Sequence, residues 1–385
     1  MEITAANIST WLQQLQTNIC TALEKADGGA KFGEEKWTRE EGGGGITKII
    51  CEGHVIEKGG VLFSAVEGVA PDFLLKEKSH SAMDKPTENP QFFATGVSIV
   101  IHPKNPMVPI IHMNVRYFET SDGARWLGGG IDLTPHYIFE EDAIFFHQSL
   151  KKVCDAHHAD YYAKFKNWAD DYFYIPHRKE TRGIGGIFFD RLNTEGKMNF
   201  DQNFLFWQAI GEAFAPIYSE LIARNKDRSY TDQNKQWQLL RRGRYVEFNL
   251  VYDKGTKFGL ETNGRVESIL MSLPKTAGWE YDFKPEKNST EEKTLALLKK
   301  GLQWAEWNTK TKGQNSAWGI AAKILFERHE QKDCSVKPDP WSRKASKRYS
   351  RPFSSGGTPK KSKKMNCLFF VFIDDKHQKQ YRQWT

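Results

Sequence analysis

Residues 96–118 read GVSIVIHPKNPMVPIIHMNVRYF, and their alternation decides the first step. On a β-strand successive side chains point to opposite faces, so residues two apart share a face. Ile111, Met113, Val115 and Tyr117 make an apolar face; Ile110, His112, Asn114 and Arg116 make the other. The preceding strand divides in the same way, with Val97, Ile99 and Ile101 against Ser98 and His102. Pro103, Pro106 and Pro109 predict a broad loop between the two strands rather than a two-residue turn. Paired strands of this kind bury one face and gather Ser98, His102, His112, Asn114 and Arg116 on the other. Either histidine alone is most simply part of a half-exposed sheet. Three successive polar positions in so apolar a segment read as a site.

The next segment, WLGGGIDLTPHY over 126–137, sharpens that reading. Each glycine in a strand costs roughly 0.5–1 kcal/mol, so a run of them asks for a reason. A flat ligand against bare backbone is one reason; a bulge or a crossing element is the other. Asp132 follows between Ile131 and Leu133, where an ionised carboxylate needs a cation or N–H partner, unless it is a strand-end turn Asp bonding near Thr134–Pro135. His147 falls on the apolar stripe Ala143, Phe146, Leu150, Val153 of a helix, a usual place for a core histidine. His177 precedes Arg178 and Arg182, and Arg241, Arg242 and Arg244 precede another segment read as a strand. Arginine suits carboxylates, although any single one is more commonly a surface ion pair.

Working outward, periodicity predicts a helix over 9–24, where Trp11, Leu15, Ile19 and Leu23 recur, with Ser9 or Thr10 as its cap. Helices are further expected from about Phe139 and over about 159–174, 201–224 and 290–304. Strands are expected near 46–51, 61–66, 93–101, 110–118, 184–190, 244–252 and 257–262, and the Gly42–Gly45 run reads as a joint or close-approach loop. Strands in runs followed by helices in runs predict an α+β fold rather than alternating βαβ units.

The 385 residues carry a formal charge of +7, unevenly spread. Residues 308–385 hold 18 Lys and Arg against 6 Asp and Glu, or +12, which leaves −5 for residues 1–307. The basic average therefore belongs to the tail, and nucleic acid is not an expected partner of the body. Residues 1–307 are expected to be one domain, and 308–385 a basic, poorly ordered extension. Five widely spaced cysteines suggest neither a disulfide framework nor a metal knuckle, so a reducing cytoplasm is the expected compartment. No apolar run is long enough to span a membrane, and the first residues lack the pattern of a secretory signal. A P-loop, a G-x-G-x-x-G helix start, an H-x-x-x-H zinc helix and a G-x-S-x-G elbow are all absent, which removes support for nucleotide or nicotinamide cofactors, zinc proteolysis and serine hydrolysis.

Taken together, GVSIVIHPKNP, HMNVRYFE, GGGIDLTPHY, FEEDAIFFH, DDYFYIPHR, RGIGGIFFDRL, RRGRYVEFNLVYDKGTKFGL and GRVESILMSLP resemble the oxygen-dependent coproporphyrinogen III oxidase family. The resemblance covers about residues 30–306. It implies a large, flat antiparallel sheet covered by helices on both faces, in a homodimer formed through about residues 241–273. It implies conversion of the ring A and B propionates of coproporphyrinogen III to vinyls, with O2 as co-substrate and no organic cofactor. By position it implies His112 as proton donor and Asp132 as the carboxylate that holds or deprotonates a pyrrole. It implies substrate contacts at Ser98, Asn114, Val115, Arg116, Asn263, Gly264 and Arg265. A divalent metal assigned to some bacterial members maps onto His102, His112, His147 and His177. Arg125 and Leu127 replace aromatic residues usual beside the glycine run, and Asn263 stands in a turn that usually reads Gly-Gly-Arg. Two alternatives accompany this expectation: a histidine-ligated metal-dependent oxidase on the same scaffold, and a non-catalytic tetrapyrrole-binding protein.

Overall fold

A computed structural model of the chain describes residues 3–40, 42–69, 90–192, 199–261 and 264–307. Helix α1 (Ala5–Asp27) comes first, followed by strands β1 (Gly33–Thr38), β2 (Gly43–Cys51), β3 (Ile56–Val69), β4 (Gln91–Pro103), β5 (Ile110–Thr120) and β6 (Arg125–Thr134). Then come α2 (Glu140–His157), α3 (Tyr161–Tyr172), the two-residue strands β7 (Tyr174–Ile175) and β8 (Glu180–Thr181), and β9 (Gly185–Leu192). Helices α4 (Phe200–Asn225), α5 (Asp232–Val251), α6 (Lys254–Glu261), α7 (Val266–Leu270) and α8 (Thr290–Leu297) complete the order, with a 3-10 turn at Trp304–Glu306.

The alternation read over 96–118 holds. Seven strands form one sheet in the order β1-β2-β3-β4-β5-β6-β9, and every neighbouring pair is antiparallel. One face carries Val97, Ile99, Ile101, Ile111, Met113, Val115, Tyr117, Ile131 and Leu133 into the main core, against α1, α2 and α4. Gln16 of α1 ties that face down, donating to Ile46 O at 2.8 Å and Val61 O at 2.7 Å. On the other face Tyr245 of α5 packs with Val100 and Ile110, and Met271, just after α7, covers bare Gly60. Helices therefore cover both faces, as expected of this α+β domain.

Several boundaries differ from the sequence reading, each for a local reason. Thr4 caps α1, its hydroxyl accepting from Asn7 N at 3.3 Å, so neither Ser9 nor Thr10 starts the helix; Ile8 extends the stripe one turn earlier. Gly43–Gly45 is strand, not joint, and Gly43 at φ 79° lies so close to β3 that a Cβ would meet Ala65 O at 2.2 Å. The edge strand β1 was not expected, being charged and mostly exposed. The expected strands 244–252 and 257–262 are helical instead over 244–251, in α5, and 257–261, in α6, and residue 262 lies outside the described residues. Read in twos, Tyr245 to Val251 alternates; read in threes and fours, Trp237, Arg241, Tyr245 and Phe248 are one buried face. The Thr231–Asn234 capping box starts that helix. The last helix stops at Leu297 instead of 304, and the chain then turns at Gly301 (φ 83°), whose N–H donates to Asp170 Oδ2 at 2.8 Å. The expected tail, 308–385, lies outside the described residues.

Candidate active site

Strand register brings the polar residues together. His112 pairs with Asp132, Asn114 with Gly130 and Arg116 with Gly128 across β5 and β6, and Ser98 pairs with Asn114 across β4 and β5. Opposed residues share a face, so all of these lie on the side away from the main core. Along β5 the core-facing residues are fully buried while His112, Asn114, Arg116 and Phe118 are half-buried. Gly96, Gly128 and Gly130 strip side chains from the same face. Of the two explanations for the glycine run, the bulge is present: it lies opposite Gly128, where the missing side chain leaves room for Asp190 and Arg116 to lie over the backbone.

Asp132 is the buried centre of this face, 1% exposed. Its Oδ2 receives Arg182 Nη2 at 2.6 Å and its Oδ1 meets His112 Nδ1 at 2.8 Å. Burial by itself would raise this carboxyl, but the Arg182 charge and the His112 hydrogen bond more than offset it and hold Asp132 below the ordinary carboxylate range. An ionised carboxylate only accepts, so His112 Nδ1 carries the donated proton and Nε2 is the nitrogen left to exchange protons. Arg182 is itself fixed: Nη1 donates to Asn249 Oδ1 at 2.8 Å, and its guanidinium lies 4.4 Å from the Phe173 ring centre and 4.7 Å from those of Tyr245 and Phe248. The result is a chain, Arg182 to Asp132 to His112, that runs from a closed aromatic box to a half-open surface. The sequence reading named Arg182 only as a general carboxylate binder. Nothing in the sequence order shows that β9's approach would pair it with Asp132, fifty positions earlier.

Arg116 Nη1 donates to Asn114 Oδ1 at 2.8 Å and Nη2 to Asp190 Oδ1 at 2.8 Å. Arg265 lies over the far side of the same face, where Nη2 donates to Glu35 Oε1 at 2.5 Å and Nη1 to Ser268 Oγ at 3.2 Å. Its neighbour Thr47 stands in one row with Leu62, Ser98, Asn114 and Gly130 across β2 to β6. Three strand spacings separate Thr47 from Asn114, or about 14 Å at about 4.8 Å each. The two arginines therefore flank a broad face. Gly264 donates its N–H to Gly259 O at 2.8 Å, and Asn263 lies outside the described residues. The Val115 side chain points the other way, into the core at 0% exposure, so it does not join the others.

The four histidines do not form one set. His147 is buried with its two nitrogens bonded to Tyr162 OH at 2.9 Å and Ile184 O at 3.0 Å. His102 Nε2 meets Ser272 O at 2.8 Å, and its ring stands edge-on to Tyr245. His177 lies at the surface, bonded to Glu247 and Tyr252 at 2.7 Å each. Among the described residues no three His, Cys, Asp or Glu side chains come together as a metal set. As placed, the quartet does not fit a single ion, because each ring is committed to a different protein partner. Among the described residues no helix is long and apolar enough to cross a membrane.

A family model for coproporphyrinogen III oxidase matches residues 7–304. Coproporphyrinogen-III oxidase 1, chloroplastic, of Arabidopsis thaliana is 48% identical over 309 residues, covering 78% of this chain and 79% of its own. The chloroplastic oxygen-dependent coproporphyrinogen-III oxidase of Glycine max is 50% identical over 310 residues, with the same shares of 78% and 79%. The mitochondrial oxygen-dependent coproporphyrinogen-III oxidase of Homo sapiens is 50% identical over 298 residues, 76% of this chain and 65% of its own.

Proposed function

The chain belongs to the coproporphyrinogen III oxidase family, and from that membership we propose how its residues serve the reaction. It is an oxygen-dependent oxidoreductase of porphyrin biosynthesis. The substrate is coproporphyrinogen III, whose ring A and B propionates become vinyls, giving protoporphyrinogen IX. Each propionic acid side chain loses CO2 and two hydrogens, so one O2 taken to H2O2 per side chain balances atoms and electrons. The reduced macrocycle is electron-rich, which leaves the protein to position it and to move protons. His112 gives and takes the proton through Nε2. Asp132 keeps the ring in one tautomer and steadies its charged form, with Arg182 behind it. A direct hold on a pyrrole N–H would make that pyrrole the third donor to Asp132.

Arg116 with Asn114 and Ser98 at one side, and Arg265 with Gly264 at the other, take the substrate carboxylates across the glycine floor. Charge-assisted and bidentate contacts are the strong ones for such groups. No step is assigned to a metal. The observation that carries this reading is the buried Arg182–Asp132–His112 chain opening onto a half-exposed, glycine-floored face. A homodimer through about 241–273 is supported by exposed Leu250, Val251, Leu260 and Val266. The three described cysteines are free, which fits a reducing compartment such as the cytoplasm; the named relatives are chloroplastic and mitochondrial.

The test is turnover of coproporphyrinogen III by the purified chain, with product oxidised and read as protoporphyrin fluorescence. Product is expected in air, none without O2, and the same yield with EDTA. Loss with EDTA and recovery with one added metal would favour a metal-dependent oxidase. Tight binding without product in air would favour a tetrapyrrole-binding protein.

A further inference from the structure

We propose that Asp190 is a positioning residue: it fixes the Arg116 guanidinium in the plane that receives a substrate carboxylate. The proposal rests on the reading of Arg116 as a carboxylate binder. Both terminal nitrogens of that guanidinium are engaged, Nη1 by Asn114 and Nη2 by Asp190, each at 2.8 Å. Two anchors on a planar group set its tilt as well as its place. A long side chain ordered before binding spares the ligand that ordering cost.

Two features of the backbone serve this pair. Gly129 opposes Phe189 and Leu127 opposes Leu192, so the single residue Gly128 faces both Asp190 and Arg191. Arg191, beside Asp190 in this bulge, has φ 51°, and its guanidinium lies 5.2 Å from the Trp126 ring centre. Bulges recur beside sites, where they re-aim side chains. Gly128 itself leaves the room: a Cβ there would stand 2.6 Å from Asp190 Oδ1 and 2.8 Å from Arg116 Nε. The pair occupies the space that a side chain at 128 would take.

Magnitude separates this from a plain structural role. The two side chains are 37% and 35% exposed. Ion pairs that open to water add little to folding, so an Asp190 variant is expected to keep its melting temperature. Its effect belongs to substrate affinity.

The experiment measures KM and kcat on coproporphyrinogen III for Asp190→Ala, Asp190→Asn, Arg116→Gln and the double variant Asp190→Ala/Arg116→Gln. Asp190→Ala is expected to raise KM about tenfold with kcat within about twofold. Asp190→Asn is expected to recover most of that, because its amide oxygen still accepts from Nη2. Once Arg116 is glutamine, Asp190→Ala is expected to add nothing, since its action runs through the guanidinium. An unchanged KM in Asp190→Ala, or the same rise in both backgrounds, overturns the proposal while an elevated KM in Arg116→Gln leaves the carboxylate reading standing. An unchanged KM in Arg116→Gln brings down that reading and this proposal with it.

Discussion

Arg182 is 3% exposed, with both terminal nitrogens bonded, to Asp132 and Asn249, and its guanidinium set among three aromatic rings. Breaking one partner of a buried pair leaves the other charge in a poor solvent and typically costs about 3–5 kcal/mol. Arg182→Gln is therefore expected to lower stability by about that amount in urea unfolding. It removes the cation that holds Asp132 ionised, so the Asp132 carboxyl rises and protonates at higher pH. His112 then loses the acceptor that sets its tautomer. The acid limb of the kcat profile should move to higher pH, and kcat at neutral pH should fall about 10²–10⁴-fold, the range of a lost general acid–base arrangement. Arg182→Lys keeps charge but not the Asn249 bond and should fall between. An unchanged acid limb in Arg182→Gln would separate Asp132 from catalysis. At this scale the sequence was half legible. Alternation placed His112, Asn114 and Arg116 on one face, because a strand has a fixed period. It did not bring in Asp190, nor show that Arg182, singled out only as a carboxylate binder, would meet Asp132, because such partners depend on register, which is a property of the fold.

Between elements, buried histidines act as ties. His147 of α2 bonds Ile184 O just before β9, and His102 of β4 bonds Ser272 O just beyond α7. Burial pushes both imidazoles down to about 3. A histidine whose folded value is depressed stays neutral when the unfolded chain already takes a proton. Its contribution is complete above the unfolded value of about 6.5 and is lost as pH falls from there toward 3. Each tie should therefore remove up to about 1.4 kcal/mol of stability per pH unit in that window. Urea midpoints taken from pH 7 to pH 4.5 should fall steadily, and His147→Gln should show a shallower slope than the unaltered chain. An identical slope would mean that His147 is not buried neutral. Elements were legible where one period ruled. Over 232–251 two periods compete: Tyr245 to Val251 alternates like a strand, while the Thr231–Asn234 capping box and the Trp237–Arg241–Tyr245–Phe248 face are helical. Buried Arg241 and Arg242 hid that face, since arginines read as exposed until Glu180 and Glu57 are seen beside them.

For the whole molecule, the charge divides close to where the family match ends. The family match ends at residue 304, and the described residues stop at 307. Ending the chain there turns a net charge of +7 into −5. The substrate is a polyanion, so the tail's charge has a predictable reach: at physiological ionic strength the screening length is about 8 Å, and charges further from the glycine floor contribute little. Arg116 and Arg265 lie on that floor's own face, so local binding should survive truncation. We expect residues 1–307 to keep kcat within about twofold and KM within about threefold at 0.15 M salt. At 0.01 M salt, where the screening length grows to about 30 Å, the full chain should gain a lower KM than the truncated one, through faster capture. Ion exchange gives an independent check, because near neutral pH the full chain should bind a cation exchanger and the shortened chain an anion exchanger. Turnover lost at 0.15 M salt would mean that 308–385 contributes contacts rather than charge, and the boundary drawn at 307 would then cut through the working enzyme.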